Sequence, residues 1–81
     1  MKDDLHARLE ALAGKIEKTR SELQAKNSWH DGHRLTAGEM QARYEYLQKA
    51  LNEESADLEA HGHRVAKLER SVHQWVDGLD L

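Results

Sequence analysis

The sequence contains no cysteine, no proline and no phenylalanine, and its aromatic residues are two tryptophans and two tyrosines. Without cysteine there is no disulfide framework and no thiolate metal site, which fits a reducing, cytoplasmic setting. Without proline, nothing in the chain interrupts a long helix by removing a backbone donor. Aromatic and β-branched residues, which favour strands, are scarce. These absences predict an all-α protein.

The chain also lacks a long apolar run and a large excess of one charge. A membrane-spanning helix needs about 20 mostly apolar residues, and the acidic start at Met1–Asp4 is unlike a signal peptide. Lys and Arg number 12 against 15 Asp and Glu, with both signs mixed along the 81 residues. Such mixing is typical of solvated helix surfaces, and the mild acidity disfavours nucleic acid as a partner. We therefore expect a single domain over residues 1–81 and no membrane partner.

The first apolar pattern predicts a helix over residues 3–27. Its apolar residues are spaced four, three and four apart, and Thr19 occupies the one polar position of the seam: Leu5, Leu9, Leu12, Ile16 and Leu23. A heptad of this kind packs along a narrow stripe against another helix. The pattern then stops, and the turn-forming residues within 28–35 predict a loop.

A second helix is predicted over residues 36–78. Thr36 and Glu39 are spaced as a capping box, with Leu35 and Met40 at the positions of a hydrophobic staple. The four-three alternation then continues without a slip through Met40, Tyr44, Leu47, Leu51, Glu54, Leu58, His61, Val65, Leu68, Val72, Trp75 and Leu79. Because the phase is unchanged at Gly62, one continuous helix is favoured. The alternative is a break at Gly62, where glycine costs about 1 kcal/mol relative to alanine, giving a three-helix bundle.

A short loop makes the two helices antiparallel neighbours, so the predicted fold is a coiled-coil-like helical hairpin with unequal arms. The longer arm extends past the end of the first helix and leaves an apolar stripe without a partner: Val65, Leu68, Val72, Trp75, Val76 and Leu79. Burying each such side chain is worth about 1.5–3 kcal/mol. The stripe therefore predicts self-association, as a homodimer that closes into a helical bundle.

Six histidines are many for a chain of this length. His30 and His33 flank Asp31 in the predicted loop, and His61 and His63 lie in the second helix. Imidazole and carboxylate groups bind metals, but this spacing matches no zinc signature, and His61 and His63 point apart on a helix. We predict no metal site and no cofactor. A pH response through a buried His61 is the alternative role.

The predicted loop tip offers a possible contact with a partner through Trp29, His30, His33 and Arg34. The alternative is that Trp29 and Leu35 fold inward and close the end of the hairpin. No nucleophile accompanied by a base, no glycine-rich phosphate loop and no paired carboxylates beside a pocket occur in the sequence. We therefore predict no catalytic residues and no enzymatic activity.

These features predict a small cytoplasmic interaction or adaptor protein, of bacterial or phage type, that self-associates and binds a protein partner. Two alternatives stay open. One is a nucleic-acid-associated regulator of the helical-hairpin dimer type, and the other is a protein that responds to metal or pH through its histidines.

Overall fold

The computed structural model of the chain describes residues 2–53 and 58–79, with side chains over 4–53 and 59–79. These residues form three α-helices: α1 (Lys2–Ala25), α2 (Asp31–Asn52) and α3 (Leu58–Asp77). The described residues contain no strand, so the all-α prediction is confirmed. The prediction of two helices, over 3–27 and 36–78, is wrong in its helix count.

The three helices form an up-down-up bundle in which each helix packs against both others. Tyr44 of α2 bonds to Glu10 of α1, and Trp75 near the end of α3 bonds to His33 in the first turn of α2. Both contacts fit antiparallel neighbours, and α3 therefore runs parallel to α1. The bundle is a rod of 43 × 17 × 16 Å. None of its described helices combines the length and apolar character needed to cross a bilayer.

The chain leaves its second helix well before Gly62. Helix α2 ends at Asn52, and Glu53 is extended, with φ −83° and ψ 138°. Gly62 lies inside α3, so the predicted break at Gly62 is wrong in position. Leu51 and Leu58 are one heptad apart, so the apolar spacing passes from one helix to the next without a slip. An unbroken phase therefore did not imply an unbroken helix. The predicted seam position Glu54 and the Leu58 side chain lie outside the described residues.

The end of α1 is set by Asn27, which has a positive φ of 57°. The Asn27 N–H donates to the Gln24 carbonyl at 3.1 Å, and the Ser28 N–H donates to the Leu23 carbonyl at 2.8 Å. This pair of bonds is the Schellman motif, with asparagine in the left-handed position. The first predicted helix is thus correct to within two residues at its end.

The start of α2 is earlier than the sequence indicated. His30 is the N-cap, and its Nδ1 accepts a hydrogen bond from the Gly32 N–H at 3.1 Å. Thr36 donates to the Gly32 carbonyl at 3.0 Å, so its hydroxyl bonds within the helix and does not cap it. Leu35 is 64% exposed, so the predicted staple does not form. The imidazole of His30 satisfies the end of the helix, a role more usual for serine, threonine, asparagine or aspartate.

The core consists of the predicted seam positions, supplied by all three helices. Those buried are Leu5, Leu9, Leu12, Ile16, Thr19, Leu23, Ala37, Met40, Tyr44, Leu47, Leu51, His61, Val65, Leu68 and Val72. Except for Ala37, the sequence placed each of them on a seam. The Thr19 hydroxyl donates to the Lys15 carbonyl of the same helix at 2.8 Å. The one polar position of the α1 seam is therefore hydrogen-bonded within α1.

The apolar stripe assigned to self-association is largely buried within one chain. Val65 and Val72 are 0% exposed and Leu68 is 1% exposed, because α3 folds back against α1 and α2. Trp75, Val76 and Leu79 are only partly buried. The interpretation of the whole stripe as an uncovered overhang is therefore wrong, and it no longer argues for a dimer.

Candidate functional site

The predicted contact residues at the loop tip are mostly engaged within the bundle. The His30 and His33 rings stack with centroids 4.0 Å apart, and Trp29 lies 6.2 Å from His33 on a nearly parallel plane. Trp75 tilts against His33 at 6.0 Å and donates its indole N–H to His33 Nδ1 at 3.3 Å. The structure thus brings Trp29, His30 and His33 together and adds Trp75, a tip residue that sequence reasoning assigned elsewhere.

Exposure divides the tip residues into two groups. Trp29 packs on the core and His33 is half-buried, whereas His30 is exposed. The Arg34 side chain is 68% exposed and lies 3.6 Å from Asp31. Trp29 therefore closes this end of the bundle, as the alternative interpretation of the loop expected, but Leu35 does not take part.

The chemical environment of His33 favours its neutral form. Partial burial lowers its pKa below the usual 6.5, and the nearby His30 lowers this pKa further. Its Nδ1 must also be unprotonated to accept the indole N–H of Trp75. Both effects hold the ring neutral near pH 7.

The histidines do not assemble a metal centre in the part of the chain that is described. No group of three histidine, aspartate or glutamate side chains there converges on a point that an ion could occupy. His61 is buried at its predicted seam position. Its Nδ1 lies 3.3 Å from an Arg64 Nη1 nitrogen, and because arginine only donates, this imidazole nitrogen accepts the bond.

Polar side-chain contacts join α1 to both other helices, and one of them is the bond from the Gln48 amide of α2 to Glu10 at 3.1 Å. Arg8 forms a two-bond ion pair with Glu69 of α3, one bond being 3.0 Å from Nε to Oε2. Hydrogen bonding to Arg8 lowers the pKa of Glu69, and the same pair raises the pKa of Arg8. On the α2 side, the Tyr44 hydroxyl donates to Glu10 at 2.9 Å. Burial, reinforced by this bond, raises the pKa of Tyr44. Arg8 and Glu10 on α1 thus each bond to a side chain of another helix.

The face between α2 and α3 is different. Here a groove of about 350 Å³ separates the two helices, and we call it the α2–α3 groove; it is lined by Arg43, Tyr46, Leu47, Arg64, Lys67, Leu68 and Ser71. Leu47 and Leu68 are buried and form its apolar floor. Tyr46 is 61% exposed, one of two large apolar side chains left exposed in the described residues. The Ser71 hydroxyl donates to the Lys67 carbonyl of its own helix at 3.1 Å.

The cations along the α2–α3 groove have no carboxylate partner among the described residues. The ion pairs within the described part of the chain instead use Arg8, Arg20 and Arg34, none of which lines the groove. Arg43 does not pair with Glu39, although their spacing is the one that favours an ion pair along a helix. A second depression on the outer face of α3 shares Arg64 and Lys67 with the groove and adds Arg70 and His63. The result is a continuous basic face.

This basic face stands out against the charge of the rest of the chain. Without Arg43, Arg64, Lys67 and Arg70, the sequence retains 8 Lys and Arg against 15 Asp and Glu. The groove between α1 and α3 has mixed signs, with Glu22 beside Lys15 and Lys18. Four of the twelve Lys and Arg residues thus lie on this face, and the rest of the sequence is acidic.

Sequence reasoning missed the α2–α3 groove. The charged residues along the chain were interpreted as solvated helix surface, Leu47 as a seam position and Leu68 as part of a dimer contact. One signal was present: Arg64, Lys67 and Arg70 recur every three residues, which places them on one side of a helix. That Arg43 and Tyr46 also line the groove could not be predicted from the sequence, because it depends on how α2 and α3 pack.

No protein-family model, no curated protein and no solved structure is similar to this chain. The geometry of its surface is therefore the basis for a functional proposal.

Proposed function

We propose that this chain is a non-enzymatic interaction module that binds a protein partner through the α2–α3 groove. The observation that carries the proposal is the combination of three cations, Arg43, Arg64 and Lys67, that have no carboxylate partner among the described residues with an exposed Tyr46 over an apolar floor. Protein interfaces are enriched in tyrosine and arginine, and such residues at a groove supply both contact area and directed charge. A cytoplasmic location and the absence of catalysis belong to the same proposal.

The loop tip supports a partner contact less well than the groove does. Trp29 and His33 use their rings within the bundle, which leaves His30 and Arg34 as the exposed members. Recruiting Trp29 or His33 to a partner would require breaking contacts that close the end of the bundle. We therefore assign the main contact to the α2–α3 groove.

A photo-crosslinker in the groove tests the proposal in cells. Benzoylphenylalanine is placed at position 46 of the full chain and, as a matched control, at position 35, since Tyr46 and Leu35 are 61% and 64% exposed. We expect a protein adduct at position 46 and not at position 35. The adduct should disappear in a variant that combines Arg64→Glu with Lys67→Glu. It should persist in a variant that combines Lys18→Glu with Lys26→Glu, a matched control because both pairs change the net charge equally. Absence of an adduct at position 46, or an adduct unaffected by the groove variants, would overturn the proposal.

Nucleic acid is the second candidate partner, and the same row of cations favours it. Four phosphate contacts would give a slope of about −3 to −4 when log affinity is plotted against log salt concentration, depending on whether the RNA is single-stranded or paired. A structured RNA pool that binds with such a slope, and that loses binding in the Arg64→Glu, Lys67→Glu variant, would establish this class. We place it second because the remainder of the chain is acidic and repels an extended polyanion.

Self-association is still proposed, but fewer exposed apolar residues now support it. The apolar surface left for it is the partly exposed Trp75, Val76 and Leu79 at one end of α3, since the rest of the predicted stripe is buried within the chain. Light scattering over a range of concentrations tests it. A mass of twice 9.3 kDa that falls to the monomer value in Val76→Asp would support a dimer through this end. A mass of 9.3 kDa at every concentration would exclude it.

A further inference from the structure

We infer that the occupant of the α2–α3 groove is an acidic amphipathic helix of a protein partner, which lies along α2 and α3 as the fourth helix of a bundle. This inference rests on the proposed function and specifies the chemistry of the partner. Its basis is the shape of the groove, the sign and spacing of the charges beside it, and the exposed Tyr46.

The shape of the groove favours a helix over an extended segment. The walls are two antiparallel helices, and a helix packs into the groove between two others in four-helix bundles, at interaxial distances of about 8–10 Å. An extended peptide binds best by adding to a sheet edge, and the described residues contain no strand. A polyproline segment needs a groove lined by several aromatic side chains, whereas Tyr46 is the one aromatic residue lining this groove.

The charges define what the helix must carry. Arg43 stands on the α2 side of the groove and Arg64 and Lys67 on the α3 side. A helix lying between them therefore needs carboxylates on both flanks of its buried stripe. Arg64, Lys67 and Arg70 are spaced three apart along one side of α3, so their like charges repel one another. An acidic occupant offsets this repulsion, which carboxylates of the described residues leave uncompensated in the free protein.

Tyr46 supplies the apolar anchor. Its ring is large, has few rotatable bonds and is already exposed, so contact with a partner buries much area at a small entropic cost. Leu47 and Leu68 add little new burial because they are already 3% and 1% exposed. The apolar contact is therefore short, and we expect an affinity on the order of micromolar, as in small transient interfaces.

The test uses the full chain and a labelled synthetic peptide of about 18 residues, five helical turns. In this probe, leucines recur at helical spacing and glutamates flank them on both sides. One control peptide has the same composition in an order without a helical stripe, and a second has lysine in place of glutamate. Binding is measured by fluorescence anisotropy. We expect the acidic amphipathic peptide to bind at least about tenfold more tightly than either control, a difference equal to about 1.4 kcal/mol.

Variants connect binding to the groove. Arg64→Glu combined with Lys67→Glu should weaken binding of the acidic peptide by about tenfold, since two attractive contacts become repulsive. The matched pair Lys18→Glu with Lys26→Glu should change it by less than about twofold, since these exposed lysines lie elsewhere. Far-UV circular dichroism verifies that both variants stay helical. Equal binding of the three peptides, or no effect of the groove variant, would overturn the inference.

The outcomes also separate this inference from the function it rests on. If the crosslinked adduct at position 46 depends on Arg64 and Lys67 but no acidic peptide is preferred, the module binds a protein and the acidic-helix inference is wrong. If neither adduct nor peptide binding is found, both are wrong. If a single-stranded oligonucleotide binds the groove more tightly than every peptide, the partner is a polyanion and both are again wrong.

Discussion

The indole Nε1 of Trp75 donates a hydrogen bond to Nδ1 of His33 across 3.3 Å, which fastens the end of α3 to the first turn of α2. The two residues are 42 positions apart in the chain. Trp29 and His30 stack on the same imidazole, so one histidine ring is contacted from both the α1–α2 connection and α3. The end of the bundle is therefore closed by a small aromatic cluster built around His33.

We predict that Trp75 and His33 are energetically coupled. A double-mutant cycle with Trp75→Phe and His33→Ala isolates their interaction, since phenylalanine retains an aromatic ring but cannot donate the bond. The coupling free energy should be about 0.5–1.5 kcal/mol, the range for a single hydrogen bond. Urea unfolding of the four proteins provides the measurement. Additive effects of the two substitutions would show that the contact is not formed in solution.

The same cluster makes stability depend on pH. Burial and the neighbouring His30 lower the pKa of His33 below 6.5, so the unfolded chain takes up this proton at a higher pH than the folded chain does. Between the two pKa values the unfolded state binds more protons, and stability falls as the pH falls. Glu69, whose pKa is lowered from 4.5 by Arg8, titrates below this window.

We therefore expect the melting temperature to decrease between pH 7.5 and pH 5.5, and to decrease less in His33→Gln. The substituted protein still contains the other five histidines, so the difference between the two slopes isolates His33. Parallel slopes for the two proteins would contradict a neutral, hydrogen-bonded His33.

Gly62 provides a test of the position of the chain break. A Cβ at Gly62 or Gly14 would meet nothing within 4 Å, and both glycines lie inside helices. Replacing a glycine inside a helix with alanine stabilises it by about 0.5–1 kcal/mol. We expect this gain from both Gly62→Ala and Gly14→Ala in thermal unfolding. Stabilisation at Gly14 together with destabilisation at Gly62 would instead place a turn at Gly62.

What the sequence could and could not predict follows from the range of the interactions involved. The seam positions, from Leu5 on α1 to Val72 on α3, were predictable because helical spacing is a local property. The break between α2 and α3 could not be predicted. Leu51 and Leu58, one on each side of the break, are one heptad apart, so the apolar spacing shows no interruption. The early start of α2 was missed because the cap is an imidazole. The α2–α3 groove needed the packing of two helices that the sequence merged into one.

Lys67 should reveal a conflict between stability and binding. It lies between Arg64 and Arg70 at three-residue spacing, so Lys67→Glu turns two repulsive pairs into attractive ones. Each pair changes from a penalty to a gain of similar size, so we expect about 0.8–2 kcal/mol more free energy of unfolding, with weaker binding of the acidic peptide. Lys18→Glu serves as the exposed control on α1. A loss of stability in Lys67→Glu would show that the lysine has a partner and is not held for binding.

The role of the α2–α3 groove as the binding face is tested most directly by NMR on the full, isotope-labelled chain during titration with the acidic amphipathic peptide. The prediction is that backbone amide shifts concentrate around Arg43, Tyr46, Arg64 and Lys67, while the amides of α1 around Lys18 stay unchanged. Shifts centred on α1 or on the His33 cluster, or no shifts at saturating peptide, would contradict it.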